Sequence, residues 1–115
     1  MIINLKFHRK KRKIKVKKLS EFEKISGLMF KSRRNENILF DFQKDVKISI
    51  HSFFVFFPFL AVWLDDKNKV LEVNKVEPFT IAVLPKKPFR KLIEIPFNKE
   101  NKKIIRFFDD KETFK

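Results

Sequence analysis

The longest uncharged stretch of the chain covers residues 48–64 and reads ISIHSFFVFFPFLAVWL, in a protein of which 37% of the residues are charged. Aromatic and β-branched residues dominate its middle, and these residue types favour strands. Pro58 lacks the backbone donor that a sheet ladder needs, so it divides the stretch. A transmembrane helix needs about 20 apolar residues, more than this stretch supplies. The pattern therefore predicts two successive core strands, with a poorly formed membrane span as the alternative.

Apolar and polar residues alternate over residues 3–7 and again over residues 13–17. A period of two is typical of strands that bury one face. The connection between them, residues 8–12, reads HRKKR and contains no Gly, Pro or Asn. Because tight two-residue turns prefer those residue types, we expect a loose, mobile loop at this point.

A short helix is predicted next. Ser20 and Glu23 have the spacing of a capping box, and Gly27 stands where a left-handed C-terminal cap is usually found. This spacing predicts a helix of about two turns. Residues 38–42 are mainly apolar and predict the strand that leads into the central stretch.

The clearest hairpin signal joins residues 61–64 to residues 70–73. Its connection, DDKNK, contains Asn68, which tolerates the positive φ angle of a short turn. Three further apolar segments follow, at residues 80–84, 89–95 and 104–108. The second of these is a predicted strand, which ends at Pro96.

Length and composition limit the class of protein. The 115 residues suffice for one domain. The absence of Cys excludes disulfides and thiolate metal sites. The N-terminus is apolar first and basic afterwards, the reverse of a secretory signal. We therefore expect a single cytoplasmic domain over residues 1–115.

The net charge of +14 is concentrated near the N-terminus, because residues 1–18 hold nine Lys or Arg and no acidic residue. Such a segment can attract nucleic acid or an anionic membrane surface through counterion release. A solvated lysine-rich face is the alternative, since Lys is abundant throughout the chain. The candidate anion-binding residues are Arg9, Lys10, Lys11, Arg12 and Lys13.

Few residues are suited to catalysis or metal binding. The single Gly excludes Gly-rich phosphate loops and dinucleotide-binding motifs. His8 and His51 lie far apart in the sequence, so a histidine metal site is not expected. We therefore expect no cofactor and no metal, and we assign no catalytic residue.

A candidate polar pocket comprises His51, Ser52 and Glu94. His51 and Ser52 are adjacent, but neighbouring strand residues point to opposite faces, so a nucleophile pair is not favoured. The alternative for His51 is a structural role near the rim of the core. Glu94 has apolar neighbours on both sides, which indicates a partly buried carboxylate of the kind found at functional sites. A cross-strand ion pair or a solvent-facing position is the alternative for Glu94.

Five motifs occur in a characteristic order: GLMF at 27–30, IHSFFVFFP at 50–58, WLD at 63–65, VLPKKP at 83–88 and LIEIP at 92–96. In this order and spacing the chain resembles domain-of-unknown-function family 192, in its archaeal-type variant. The resemblance covers nearly the whole chain. It implies a small, mainly β (α+β) fold, a mostly antiparallel, partly closed, barrel-like sheet with one or two short helices, and it implies no established activity.

The chain departs from the family pattern at positions that are polar or small in other members. Leu60 replaces an Asp, and Phe97 and Asn98 replace an Ala-Gly pair. If the family's polar positions line a site, this chain has lost part of it.

Three functional hypotheses follow. The first is a soluble, monomeric, non-enzymatic binding or accessory domain of unknown partner, without a membrane span. The second is weak, non-specific binding of nucleic acid or an anionic surface through the basic N-terminal segment. The third is an enzyme of unfamiliar type that uses His51 or Glu94.

Overall fold

The computed structural model describes residues 1–18, 36–49, 57–80 and 82–109. The described elements are β1 (Ile2–Phe7), β2 (Lys10–Lys15), β3 (Lys17–Lys18), β4 (Ile38–Val46), β5 (Phe59–Leu64), β6 (Val70–Val76), β7 (Phe89–Pro96) and α1 (Lys102–Phe108). This part of the chain is mainly β, as predicted. The predicted helix that starts at Ser20 lies outside the described residues.

β1 and β2 form an antiparallel hairpin with a two-residue turn. The register pairs Phe7 with Lys10, so only His8 and Arg9 connect the strands. Both have positive φ angles, 50° for His8 and 70° for Arg9. The prediction of a loose loop over residues 8–12 is therefore wrong. Two residues at positive φ give the turn that matches the twist of paired strands, and the strand pairing holds them there although neither is Gly or Asn.

This turn stores backbone strain that a sequence change can relieve. Asn-Gly is the preferred pair for a turn with two positive φ angles. We expect His8→Asn combined with Arg9→Gly to raise the free energy of unfolding by roughly 1–2 kcal/mol. Non-glycine residues in this region cost roughly 1–2 kcal/mol each, and the larger unfolded-state entropy of Gly offsets part of the gain. Urea unfolding measures the change. Lys10→Gly, just inside β2, is the control and should be destabilising instead; equal effects of the two variants would contradict the strained turn.

The other five described strands form an open sheet in the order β3-β4-β7-β5-β6. All neighbouring strands are antiparallel except β3 and β4. The mostly antiparallel arrangement is thus confirmed. The partial closure that the family resemblance implies stays a prediction.

β5 lies inside the sheet, and all six of its residues are buried. This burial on both faces explains why residues 59–64 read as a continuous apolar run rather than an alternating one. The second part of the central stretch is therefore a core strand, as predicted. The first predicted strand falls mostly on residues 50–56, outside the described residues. No helix in the described ranges is long and apolar enough to cross a membrane.

The hairpin predicted between β5 and β6 is confirmed. Asn68 has a φ angle of 64°. The Asp65 Oδ1 atom accepts hydrogen bonds from the backbone N–H groups of Lys67 and Lys69, at 2.8 and 2.9 Å. A side chain that binds its own turn in this way fixes the reversal of the chain.

The β1–β2 hairpin and α1 cover one face of the sheet. The inward residues of β1, Ile3, Leu5 and Phe7, are buried against sheet residues such as Leu60. The apolar cluster predicted near the C-terminus forms α1, and its Phe108 packs on Phe7 with ring centroids 5.3 Å apart. The opposite face of the sheet carries a second core that includes Phe40, Phe59, Trp63 and Phe89.

The predicted strand that ends at Pro96 is confirmed as β7. The apolar segment at residues 80–84 forms no named strand among its described residues. After β7, hydrogen bonds of the Asn101 side chain fix the position of the chain; Asn101 is 4% exposed. Its Nδ2 group donates to the carbonyl of Pro96 and to Oδ1 of Asn37, both at 2.8 Å.

Candidate functional site

The β1–β2 hairpin, called the basic hairpin below, places the predicted anion-binding residues on different surfaces. Lys11 and Lys13 point outward from β2, while Arg12 lies on the side of the ribbon that faces the core and is partly buried. Arg9 lies in the turn. Lys10 pairs with the inward-facing Phe7, but its position at the strand end leaves it exposed. The five residues therefore do not form one continuous charged row.

The outward face of the hairpin carries two lysines that the sequence reasoning did not select. Three cross-strand pairs form this face: Ile2 with Lys15, Asn4 with Lys13, and Lys6 with Lys11. We call Lys6, Lys11, Lys13 and Lys15 the lysine face; all four are exposed. The alternation of residues 3–7 and 13–17 was the available signal for them, because lysines at every second position of a strand share one face.

The lysine face has no internal charge compensation. Within the part of the chain that the structure describes, none of its four lysines forms an ion pair. Lys6 and Lys11 are direct cross-strand neighbours. Like charges in that position are destabilising. A bound polyanion would remove this repulsion.

Glu94 lies in β7, with Ile38 of β4 and Ala61 of β5 as its cross-strand neighbours. It is 3% exposed and belongs to the face that carries the second core. A solvent-facing position is thereby excluded, and the expectation of a buried carboxylate is met. His51 and Ser52 lie outside the described residues, so the candidate polar pocket of His51, Ser52 and Glu94 stays a prediction.

Asn74 and Glu72 form a polar cluster on the same face of the sheet as Glu94. Asn74 of β6 is the other cross-strand neighbour of Ala61. Its Nδ2 group donates to Glu72 Oε2 at 2.7 Å, and the backbone N–H of Lys86 donates to Glu72 Oε1 at 2.9 Å. The Glu72 carboxylate is thus held by two donors. Among the described residues, no group of three His, Asp or Glu side chains could hold a metal ion.

Fold and site together define a small, mainly antiparallel β protein in which a basic hairpin and a short helix cover one face of a five-stranded sheet. The chain belongs to domain-of-unknown-function family 192, described as "Uncharacterized ACR", whose model matches residues 4–107. The family resemblance read from the motif order is therefore confirmed. The assignment to an archaeal-type variant stays a prediction.

Two crystal structures share the fold. One is a protein of unknown function from Novosphingobium aromaticivorans, with a TM-score of 0.68 and 13% identity, over 90% of this chain and 78% of the other. The second, from Sinorhizobium meliloti, is described as a "putative transcription regulator" and also has a TM-score of 0.68 and 13% identity, over 88% of this chain and 82% of the other. Comparison with curated proteins gave no match. At this identity the likeness concerns the fold alone.

Proposed function

We propose that this protein is a non-enzymatic binding domain that attaches to duplex nucleic acid through its lysine face. The observation that carries the proposal is the row of exposed lysines on the hairpin, without acidic partners among the described residues. Phosphates are the natural partners of such a row, because each contact releases condensed counterions. The buried Glu94 supports no comparable proposal for catalysis.

The spacing of the lysine face suits a phosphate backbone. Alternate residues of a strand lie roughly 6.6 Å apart, which sets the separation of Lys11, Lys13 and Lys15. This distance is about twice the 3.4 Å axial rise per phosphate of one DNA strand. Besides its lysines the face offers a single Asn and no Arg, Gln or side-chain carboxylate, so it has few groups that distinguish one base pair from another. Binding should therefore be weak and independent of sequence, with a Kd on the order of 10⁻⁴ to 10⁻⁶ M at physiological salt.

The salt dependence of binding tests this proposal. If all four lysines contact phosphates, the logarithm of the binding constant should fall linearly with the logarithm of salt concentration, and these contacts should contribute a slope of about −3.6. Changing Lys6, Lys11, Lys13 and Lys15 to Gln should remove that contribution. Fluorescence anisotropy with labelled duplex DNA measures the slope.

The matched control removes the same charge elsewhere, by changing the exposed Lys44, Lys47, Lys102 and Lys103 to Gln. This variant should keep most of the slope. Equal losses in the two variants would mean that only the net charge of the protein matters, and the lysine face would lose its role. Binding to phosphatidylserine vesicles without binding to DNA would replace the nucleic acid by an anionic membrane surface.

The proposal includes the remaining sequence-based expectations. The domain would cover residues 1–115 and act as a cytoplasmic monomer. Its sheet would be partly closed and barrel-like. Sedimentation equilibrium of the purified chain tests the monomer, and a dimer would place a second lysine face in the complex.

A further inference from the structure

A cavity of about 710 Å³ lies between the tip of the basic hairpin, β6 and the PKKP segment. Its walls are residues 7–9, residues 69–74 and residues 85–87, and Trp63 of β5 also lines it. The volume lies within the range of about 300–1,000 Å³ that small-molecule sites occupy. None of the four lysines of the lysine face lines this cavity, so the cavity is a separate surface.

Trp63 lines this cavity, and its side chain carries a buried hydrogen-bond donor. Its side chain is 0% exposed, and the buried Nε1 atom has no hydrogen-bond partner among the described residues. A buried donor without an acceptor costs about 1–3 kcal/mol. A ligand that extends from the cavity to the indole N–H would satisfy this donor with an acceptor atom.

The charges around the cavity favour an anion. Among the described residues that line it, Arg9, Lys69, Lys86 and Lys87 contribute four positive charges and Glu72 contributes one negative charge. The Glu72 carboxylate already accepts hydrogen bonds from Asn74 and from the Lys86 backbone. The four cationic side chains are exposed, and within the described residues none of them forms an ion pair.

Apolar groups complete the lining. Phe7, Val70, Leu71 and Pro85 contribute apolar surface beside the cations. An inorganic anion would leave this surface unused, whereas an organic compound would bury part of it. A phosphate monoester combines an organic part with a charge of about −1.5 to −2 at neutral pH, which suits several cations at once.

We infer that this cavity binds a small phosphate monoester, with its phosphoryl group between Arg9, Lys86 and Lys87 and an acceptor atom of its organic part on the Trp63 indole N–H. This site goes beyond the proposed nucleic-acid function and does not depend on it. The two share only the hairpin that carries both surfaces.

The chain reports on this site by itself, because Trp63 is its single Trp and it has no Tyr. Titration of the whole protein with adenosine 5′-monophosphate should give a saturable change in Trp fluorescence. Adenosine, which lacks the phosphoryl group, and inorganic phosphate, which lacks the organic part, should each bind at least about tenfold more weakly, since each omits one set of contacts. Equal affinity for inorganic phosphate and the monoester would overturn the inference that the organic part is recognised.

Two variants locate the site. Lys86→Gln with Lys87→Gln keeps the backbone N–H on Glu72 and should weaken monophosphate binding on the order of tenfold. Trp63→Phe keeps a ring in the core but removes the N–H, and should weaken binding two- to tenfold by calorimetry. Circular dichroism and thermal melting establish that both variants are folded. A folded Lys86/Lys87 variant with unchanged affinity would overturn the site.

The control separates this inference from the proposed function. Lys11→Gln, Lys13→Gln and Lys15→Gln together should reduce DNA binding and leave the fluorescence response to the monophosphate within about twofold, because these side chains do not line the cavity. A lost response in this variant, with the Lys86/Lys87 variant unaffected, would show that the phosphate binds the lysine face instead.

Discussion

Replacing Leu60 with Ala is expected to lower the free energy of unfolding by about 3–5 kcal/mol. Leu60 is 0% exposed in β5 and contributes to the core beneath the β1–β2 hairpin. Its strand is paired on both sides, with Lys75 of β6 and Ile95 of β7 as cross-strand neighbours. The surrounding strands cannot close the space easily, so the variant loses both the transfer free energy of the side chain and the contacts around the cavity.

Leu84→Ala is the matched control, since it makes the same chemical change at a residue that is 56% exposed. It should change stability by no more than about 0.5 kcal/mol. Urea unfolding followed by Trp63 fluorescence measures both variants. Similar, small losses at the two positions would contradict the placement of the central apolar stretch in the core. The family resemblance assigns an Asp to position 60, where this chain has Leu60. A functional role of that Asp in relatives therefore does not extend to this chain.

Replacing Asn101 with Ala is expected to cost about 2–4 kcal/mol, because it removes the partner of the buried Pro96 carbonyl and of the partly buried Asn37 amide. The Asn101 side chain donates to the Pro96 carbonyl and to Asn37 Oδ1. It also accepts a hydrogen bond from Asn37 Nδ2 at 3.1 Å. This amide pair connects the start of β4 to the segment between β7 and α1, two parts of the chain that are 64 residues apart in sequence.

Asn4→Ala is the control, because Asn4 is exposed on the outer face of the hairpin. It should lie within about 0.5 kcal/mol of the parent protein. A double-mutant cycle of Asn101→Ala with Asn37→Ala should give a coupling energy of about 0.5–3 kcal/mol. Additive losses would mean that the two amides contribute separately, which would contradict the paired geometry.

The hydrophobic pattern alone determined most of the strands. The alternation at residues 3–7 identified β1, and the uncharged run up to Leu64 identified β5 as a core strand. Asn68 marked the β5–β6 turn, and Pro96 marked the end of β7. These predictions were possible because the period of two and the turn preferences are local properties of the chain.

The turn at His8 and Arg9 was decided by the tertiary structure. Local preference disfavours two positive φ angles in residues other than Gly and Asn. The register of β1 on β2, fixed by burial of the inward faces of both strands, leaves only two residues to connect them. Burial of a whole hairpin face outweighs roughly 1–2 kcal/mol of strain per residue.

The functional surfaces were also decided at the tertiary level. The sequence showed a basic segment, but only the pairing of β1 with β2 placed Lys6 opposite Lys11 and turned Arg12 toward the core. The cavity beside Trp63 joins segments from three distant parts of the chain. The same holds for the Asn37–Asn101 pair. Composition and periodicity describe neighbours in sequence, whereas these sites depend on strand register and on how the hairpin packs against the sheet, which are set by contacts between distant residues.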